Sequence, residues 1–330
     1  MTDPAVSPNR DAEPLLEVEG LRIELTVRGR GPVPITRDVS LRVYQKEIVG
    51  LIGESGSGKS VIAKSLIGML PRRIRVSAGT SRFQGRDLFA LNAHAMRAVR
   101  GAEISLIPQD ALHALNPVKL VGKQVGEPIE VHTDTPAVEV HKQVVQLLNR
   151  VHISDPEART QDYPHQFSGG MQQRALTAMA LSMKPPLILA DEPTTALDVT
   201  IQGEILKLIR ELRSDTGASF LFISHDLGLV SSLCDRIYVM YAGEIVESGT
   251  RDEIFSNPRH PYTRGLIGSV PRLRNNAARL LTIPGRIPGP GDEIEGCRFR
   301  PRCPMAEGRC IVSPSLEASK GGHAAKCWLF

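Results

Sequence analysis

Gly53-Glu54-Ser55-Gly56-Ser57-Gly58-Lys59-Ser60 is the stretch that decides the fold of this 330-residue chain. It matches G-x-x-x-x-G-K-[ST], and its surroundings give the pattern meaning. The preceding run Glu47-Ile48-Val49-Gly50-Leu51-Ile52 is short and apolar, as a buried parallel strand requires. Lys59–Leu70 then shows helical spacing through Val61, Ile62, Leu66 and Met69, and Pro71 ends it. A glycine-rich turn between such a strand and such a helix turns successive backbone N–H groups toward an anion. In this pattern Lys59 reaches the β- and γ-phosphates and the Ser60 hydroxyl ligates Mg2+.

Downstream, Leu187-Ile188-Leu189-Ala190-Asp191-Glu192 is a second buried strand with acids at its C-terminal tip, where open α/β sheets bind ligands. By itself an Asp-Glu pair before Pro193 reads as a helix cap. Paired with the phosphate loop it reads as chemistry. Asp191 is a magnesium partner through water, and Glu192 orients or deprotonates the attacking water. The two elements together predict a nucleoside triphosphatase.

The rest of the chain fits an α/β unit. Alternating residues in Leu16–Val27 and Val39–Val43, interrupted by Arg28-Gly29-Arg30-Gly31-Pro32, predict an antiparallel hairpin region. Helical patterns such as Val138–Val151 dominate from about 110 to 165. Phe220–Ile223 is a third buried strand and Ile201–Leu212 an amphipathic helix before it, so strands alternate with crossovers. Tyr163-Pro164-His165-Gln166-Phe167-Ser168-Gly169-Gly170-Met171 leads into another helix, and its Ser-Gly-Gly is a second anion-binding start. One phosphate loop does not need two such starts, which suggests that this one serves a nucleotide on another subunit.

At these residues the chain resembles the ATP-binding subunits of ABC transporters, over roughly residues 15–330. Gly53–Ser60 stands as the Walker A motif, with Val61 after it, and Gln109 in Leu106–Asp110 as the Q-loop glutamine. Ser168-Gly169-Gly170-Met171 stands as the signature, Leu187–Asp191 as Walker B with catalytic Glu192, Thr195–Asp198 as the D-loop and His225 as the switch histidine. The resemblance implies ATP at Gly53–Val61 and Gln109, with Asp191 and Asp198. It also implies Mg2+ at Ser60, Gln109 and Asp191, and catalysis by Lys59, Gln109, Glu192 and His225. The implied fold is an ABC-type P-loop ATPase domain over residues 15–270, behind a flexible tail at 1–14. It has a parallel-sheet core, an antiparallel β subdomain and a helical subdomain near 110–182.

Finer matches resemble the oligopeptide/dipeptide branch, notably Tyr163–Met171, Asp191–Thr200 and Asn257–Thr263. That branch implies a partner ATPase, commonly a distinct one, two membrane-spanning permease subunits and an extracytoplasmic binding protein, at the cytoplasmic face of the cell membrane. The cargo is left open between peptides and another small solute such as nickel, an opine or a glutathione-like molecule, with a soluble non-transport ATPase as the further alternative. Phe167 and Met171 replace the family's usual signature Leu and Gln, and Leu25 stands where an adenine-stacking aromatic is usual. An aromatic there contributes about 1 kcal/mol beyond its area.

Residues 271–330 differ in character, with seven Pro, seven Gly and four of the five cysteines. Cys297, Cys303, Cys310 and Cys327 are too irregularly spaced for a zinc ribbon, but four thiolates with few apolar neighbours suggest a metal. The branch implies a 4Fe-4S cluster there, with zinc as the alternative, and Arg298, Arg300, Arg302 and Arg309 to offset its charge. Cys234 reads as a small buried residue.

Composition sets the outer limits. The chain is 41% hydrophobic, 23% charged and 4% aromatic, that of an ordinary globule. No apolar run reaches the ~20 residues of a membrane span, and the polar N-terminus lacks the pattern of a secretory signal. The formal charge of +4 comes from the tail, where ten basic residues face five acidic ones. A general nucleic-acid face is not expected.

Overall fold

The structure, a computed structural model, describes residues 13–29, 31–194, 199–269, 282–318 and 322–330. The chain forms two compact units, one of residues up to Phe89 and from Ile223 onward, the other of Ala90–Phe222.

The first unit opens with β1 (Leu16–Thr26), antiparallel to β2 (Pro32–Val43); the hairpin region is the one that the alternation predicts, but β2 starts seven residues before the expected Val39. Leu16, Val18, Leu21 and Ile23 are buried, while Glu19 and Arg22 are exposed. The three-residue step from Val18 to Leu21 is a register shift at Gly20, whose positive φ lets one residue loop out and the apolar face resume. β3 (Ile48–Ile52) is buried along its whole length. α1 (Lys59–Leu66) is shorter than its apolar spacing predicts, because Gly68 turns left-handed and ends it before Pro71. β4 (Ile74–Phe83) and β5 (Arg86–Asp87) complete an antiparallel sheet of order β2-β1-β4-β5.

The second unit runs through α2 (Ala93–Val99), β6 (Ile104–Ile107), α3 (Ala111–Ala114), α4 (Val121–His132), α5 (Ala137–Arg150) and α6 (Pro156–Arg159). It continues through α7 (Gly169–Leu181), β7 (Leu187–Asp191) and α8 (Val199–Thr216) into β8 (Ser219–Ser224). β6 and β7 are parallel, from Ile104 opposite Leu187 to Ile107 opposite Ala190. α5 buries Val140, Val144 and Leu148, one stripe at a four-residue step. It lies so close to α4 that a Cβ on Gly126 would stand 2.9 Å from the Val140 side chain.

Back in the first unit, α9 (Leu227–Leu233), β9 (Arg236–Tyr241), β10 (Glu244–Thr250), α10 (Arg251–Ser256) and α11 (Pro261–Gly268) precede the cysteine-bearing segment. β9 is parallel to β3 and antiparallel to β10. The tail is tied to this sheet: β11 (Glu317–Ala318) pairs with β12 (Ala324–Ala325), and β12 pairs with β10 with Ala325 opposite Glu247. Otherwise its described residues hold only two short 3-10 turns, Arg300–Arg302 and Gly308–Ile311. Among the described residues no helix is long and apolar enough to cross a membrane.

Candidate nucleotide site

In the first unit the phosphate loop spans the end of β3 and the start of α1. Gly53 takes φ 153, and a Cβ there would stand 2.1 Å from the Met240 carbonyl oxygen, so the β9 backbone occupies the space of any side chain. Gly58, at φ 107, is the N-cap of α1. No side chain caps the helix there, and a helix start of this kind turns its first N–H groups toward an anion. Lys59 is 4% exposed, and its ammonium donates to the Gly53 and Glu54 carbonyls at 2.8 and 2.9 Å. The lysine is thereby folded over the loop it belongs to. Ser57 is buried, its N–H donating to the Glu54 carbonyl and its own carbonyl accepting from Gly243 N–H. Ser60 stands in the first turn of α1.

His225 follows β8 and is exposed. Asp226 beside it caps α9, its carboxylate accepting from the Gly228 and Leu229 amides at 2.8 and 3.3 Å. Leu25 lies in β1 opposite Val33, half-buried.

The second unit carries the acids. Asp191 ends β7 and is 2% exposed, and Glu192 follows at φ 48, in the left-handed region that non-glycine residues seldom occupy. Gln109, just past β6, donates its amide to the Glu192 carboxylate at 3.0 Å. The structure thus joins two residues that lie 83 positions apart and that the sequence could only list separately. Ser168 caps α7, its hydroxyl accepting from Met171 N–H at 3.3 Å. Ser168 and Gly169 are exposed, while Gly170 is buried against Ile201. Asp198, with Thr195–Leu197, lies outside the described residues.

Each unit offers oxygen donors of its own, the Ser60 hydroxyl in the first and the Gln109 amide oxygen and buried Asp191 carboxylate in the second, and oxygen is the donor that a hard cation such as Mg2+ takes. The four tail cysteines are a different case. They line one small cavity with His260, Phe299 and Met305, and burial pushes the thiols of Cys297, Cys303 and Cys327 up from their ordinary values. The donor chemistry suits a soft metal. The arrangement does not: among the described residues no group of three or more His, Cys, Asp or Glu stands where it could hold a metal ion. Of the four arginines expected to offset a cluster, Arg300 lines the cavity and the other three have partners of their own. Arg298 donates to the Asp292 carbonyl, Arg309 to Glu307 and Arg302 to Glu54.

Two residues at the phosphate loop escape sequence reading. The Tyr262 hydroxyl accepts the Glu54 N–H at 2.9 Å, and Arg302 grips the Glu54 carboxylate with two nitrogens at 2.9 and 3.1 Å. They lie 208 and 248 positions from Glu54, and no local pattern signals such a contact.

With this geometry in hand, comparison with known proteins is specific. The family described as "ABC transporter" matches residues 36–195, and the one described as "Oligopeptide/dipeptide transporter, C-terminal region" matches residues 246–310. A protein of Brucella abortus that carries the provisional name of peptide import ATP-binding protein is 45% identical over 314 residues, 95% of this chain and 94% of its own. One of the same name from Brucella ovis is 45% identical over 328 residues, 96% of this chain and 97% of its own. Among solved structures, the ATP-binding cassette MJ0796 in a dimeric post-hydrolysis state bound to ADP and Pi superposes with TM-score 0.65 at 24% identity. It covers 72% of this chain and 98% of that one. A similar match, TM-score 0.64 at 25% identity over 74% of this chain and 92% of the other, is cbiO1 from Clostridium perfringens, part of the ABC transporter complex cbiONQ.

Proposed function

Because this chain belongs to the family of ABC transporter ATP-binding subunits, we propose that it binds and hydrolyses ATP to drive import of oligopeptides or dipeptides through membrane permease subunits. The observation that carries the chemistry is Glu192: a carboxylate at the tip of a buried strand, in left-handed backbone and held by Gln109. Strain of this kind, on the order of 1–3 kcal/mol, gathers where a side chain must be aimed. The cargo rests on the relatives' names and on the matched C-terminal region.

In this reading the amides of Gly53–Ser60 and the start of α1 hold the phosphates of ATP, Lys59 turns from the loop carbonyls to the β/γ-phosphates, and Val61 and Leu25 flank the nucleotide. Ser60, Gln109 and Asp191 hold Mg2+, which when bound neutralises charge on the β- and γ-oxygens. Glu192 orients the attacking water and takes its proton, and His225 contacts the γ-phosphate. Ser168–Met171, with Ser168 and Gly169 exposed at the start of α7, covers the nucleotide of a partner ATPase subunit, whose own signature covers this one, with Asp198 at the junction. ATP is then the adhesive between two subunits, and hydrolysis releases it. The partner is a distinct ATPase chain, an extracytoplasmic binding protein delivers the peptide, and the assembly sits at the cytoplasmic face of the membrane.

Glu192→Gln is expected to lower hydrolysis by about 100-fold or more while ATP still binds and holds the two ATPase subunits together. Turnover within about twofold of the unaltered chain overturns the role of Glu192. Stimulation of hydrolysis by peptide-loaded binding protein in the reconstituted complex tests the cargo.

For the tail we keep the proposal of a 4Fe-4S cluster on Cys297, Cys303, Cys310 and Cys327, supported by their shared cavity and soft donors. A metal held there would require the thiols to be deprotonated. Iron and acid-labile sulfide in anaerobically purified protein support the cluster; stoichiometric zinc replaces it.

A further inference from the structure

The contact between Arg302 and Glu54 joins the cysteine-bearing tail to the phosphate loop. Both residues belong to the first unit. Arg302 is almost fully buried, its side chain 6% exposed against 26% for Glu54. Beyond its two contacts to Glu54, the guanidinium donates through Nε to the Pro284 carbonyl at 2.9 Å, through Nη2 to the Ile283 carbonyl at 3.3 Å and through Nη1 to the Tyr241 hydroxyl at 3.4 Å. A guanidinium has five N–H donors in a fixed fork, and here five acceptors surround it. It is therefore held rigidly from the tail side while it presents two teeth to the loop.

Glu54 is in turn fixed at every polar group. Its amide donates to Tyr262, its carbonyl accepts from Lys59 and its carboxylate is held by Arg302. The tail turn that carries Arg302 is braced too. Phe299 packs edge-on to Tyr241 and tilted against Tyr262, with ring centroids 5.1 and 5.5 Å apart, and Arg302 N–H closes the turn on the Phe299 carbonyl.

We propose that Arg302 is a positioning residue of the nucleotide site: from the tail it fixes Glu54, and through Glu54 the phosphate loop, and it cancels a carboxylate charge that would otherwise face the phosphates of ATP. The proposal rests on the assignment of Gly53–Ser60 as the ATP site. It assigns the C-terminal segment a direct part in nucleotide affinity. The turn from Cys297 to Cys303 that carries Arg302 also carries two of the four cysteines.

The experiment is equilibrium ATP binding to the full chain in four forms: unaltered, Arg302→Met, Glu54→Gln and the double variant. Arg302→Met loses the clamp and uncovers the Glu54 charge, so ATP affinity falls about tenfold. Glu54→Gln loses the clamp but leaves no charge, so affinity falls about threefold. The double variant returns to the level of Glu54→Gln, a rescue that general destabilisation of the tail does not produce. Arg302→Lys, which keeps the charge and loses the fork, falls between. Affinity of Arg302→Met within twofold of the unaltered chain, or a double variant weaker than Arg302→Met, overturns the proposal. If Arg302→Met fails to fold, Glu54→Gln decides, since it leaves the tail intact: unchanged affinity there also overturns the proposal. Failure of the unaltered chain to bind ATP would instead overturn the function on which this rests.

Discussion

Gly53 must be glycine for a reason that the motif does not state. Its φ of 153 and the Met240 carbonyl 2.1 Å from any Cβ mean that a methyl group has nowhere to go unless β9 moves. Gly56 differs: its φ of 81 is left-handed, but a Cβ there meets nothing within 4 Å. Gly56→Ala is therefore expected to cost only the left-handed strain, about 1–2 kcal/mol. Gly53→Ala adds a backbone collision and should cost about 3 kcal/mol or more, with ATP affinity down by at least tenfold. Thermal melts and nucleotide titrations of the two variants check the order; equal losses would show that the Met240 collision does not matter. Both glycines were legible in the sequence as members of a phosphate loop. The ranking between them was not, because Met240 lies on a strand far along the chain. The same holds for Glu54, which reads as an unconstrained position in the motif and is held at four atoms by Tyr262, Lys59 and Arg302.

At the scale of elements, the signals that worked were local ones. The strands β1, β3, β7 and β8 and the start of α1 lie close to where alternation, apolar runs and the glycine turn put them, while β2 runs from Pro32, seven residues before the alternation at Val39 begins. β4, β6, β9 and β10 lie outside those expectations. β9 is bounded by Asp235 and the Ala242-Gly243 turn, and its interior Ile-Tyr-Val-Met reads equally well as a piece of helix. Helix caps, by contrast, are local enough to predict. Asp226 holds the first turn of α9 immediately after His225, so Asp226→Ala should remove about 1 kcal/mol and lower the melting temperature by about 2–4 °C. Asp226→Ser, which keeps an acceptor, should retain most of both. Identical melting of the alanine variant and the unaltered chain would mean that the cap does not hold this turn.

For the whole molecule, the tail belongs to the fold of the first unit. β12 extends the sheet through β10, and buried Glu247 accepts from the Arg259 and His260 amides and pairs with His323 at 2.7 Å. His260, tilted against Phe299, is pushed down to about 3 by burial, with Lys326 adding to the shift. Between that value and the ordinary 6.5 the unfolded chain carries the proton and the folded chain does not. Stability at this site is thus undiminished above about pH 6.5 and falls as pH drops toward 3, by up to ~1.4 kcal/mol per unit. Trp328, the chain's single tryptophan, donates to the Val312 carbonyl inside the tail and reports on its unfolding. Between pH 7 and pH 5, urea unfolding followed by Trp328 emission should show His260→Asn losing about 2 kcal/mol less than the unaltered chain. Equal losses would remove His260 as the cause. The sequence by itself determined the chemistry: a phosphate loop between strand and helix, an acid pair after a buried strand and a capped Ser-Gly-Gly are each written in consecutive residues, where local sterics and hydrogen bonding act. Only the tertiary structure decided which of these touch. Gln109 meets Glu192, Met240 closes on Gly53, and Arg302 crosses 248 positions to hold Glu54, because packing and ion pairing depend on distance in space and leave no periodic trace in the chain.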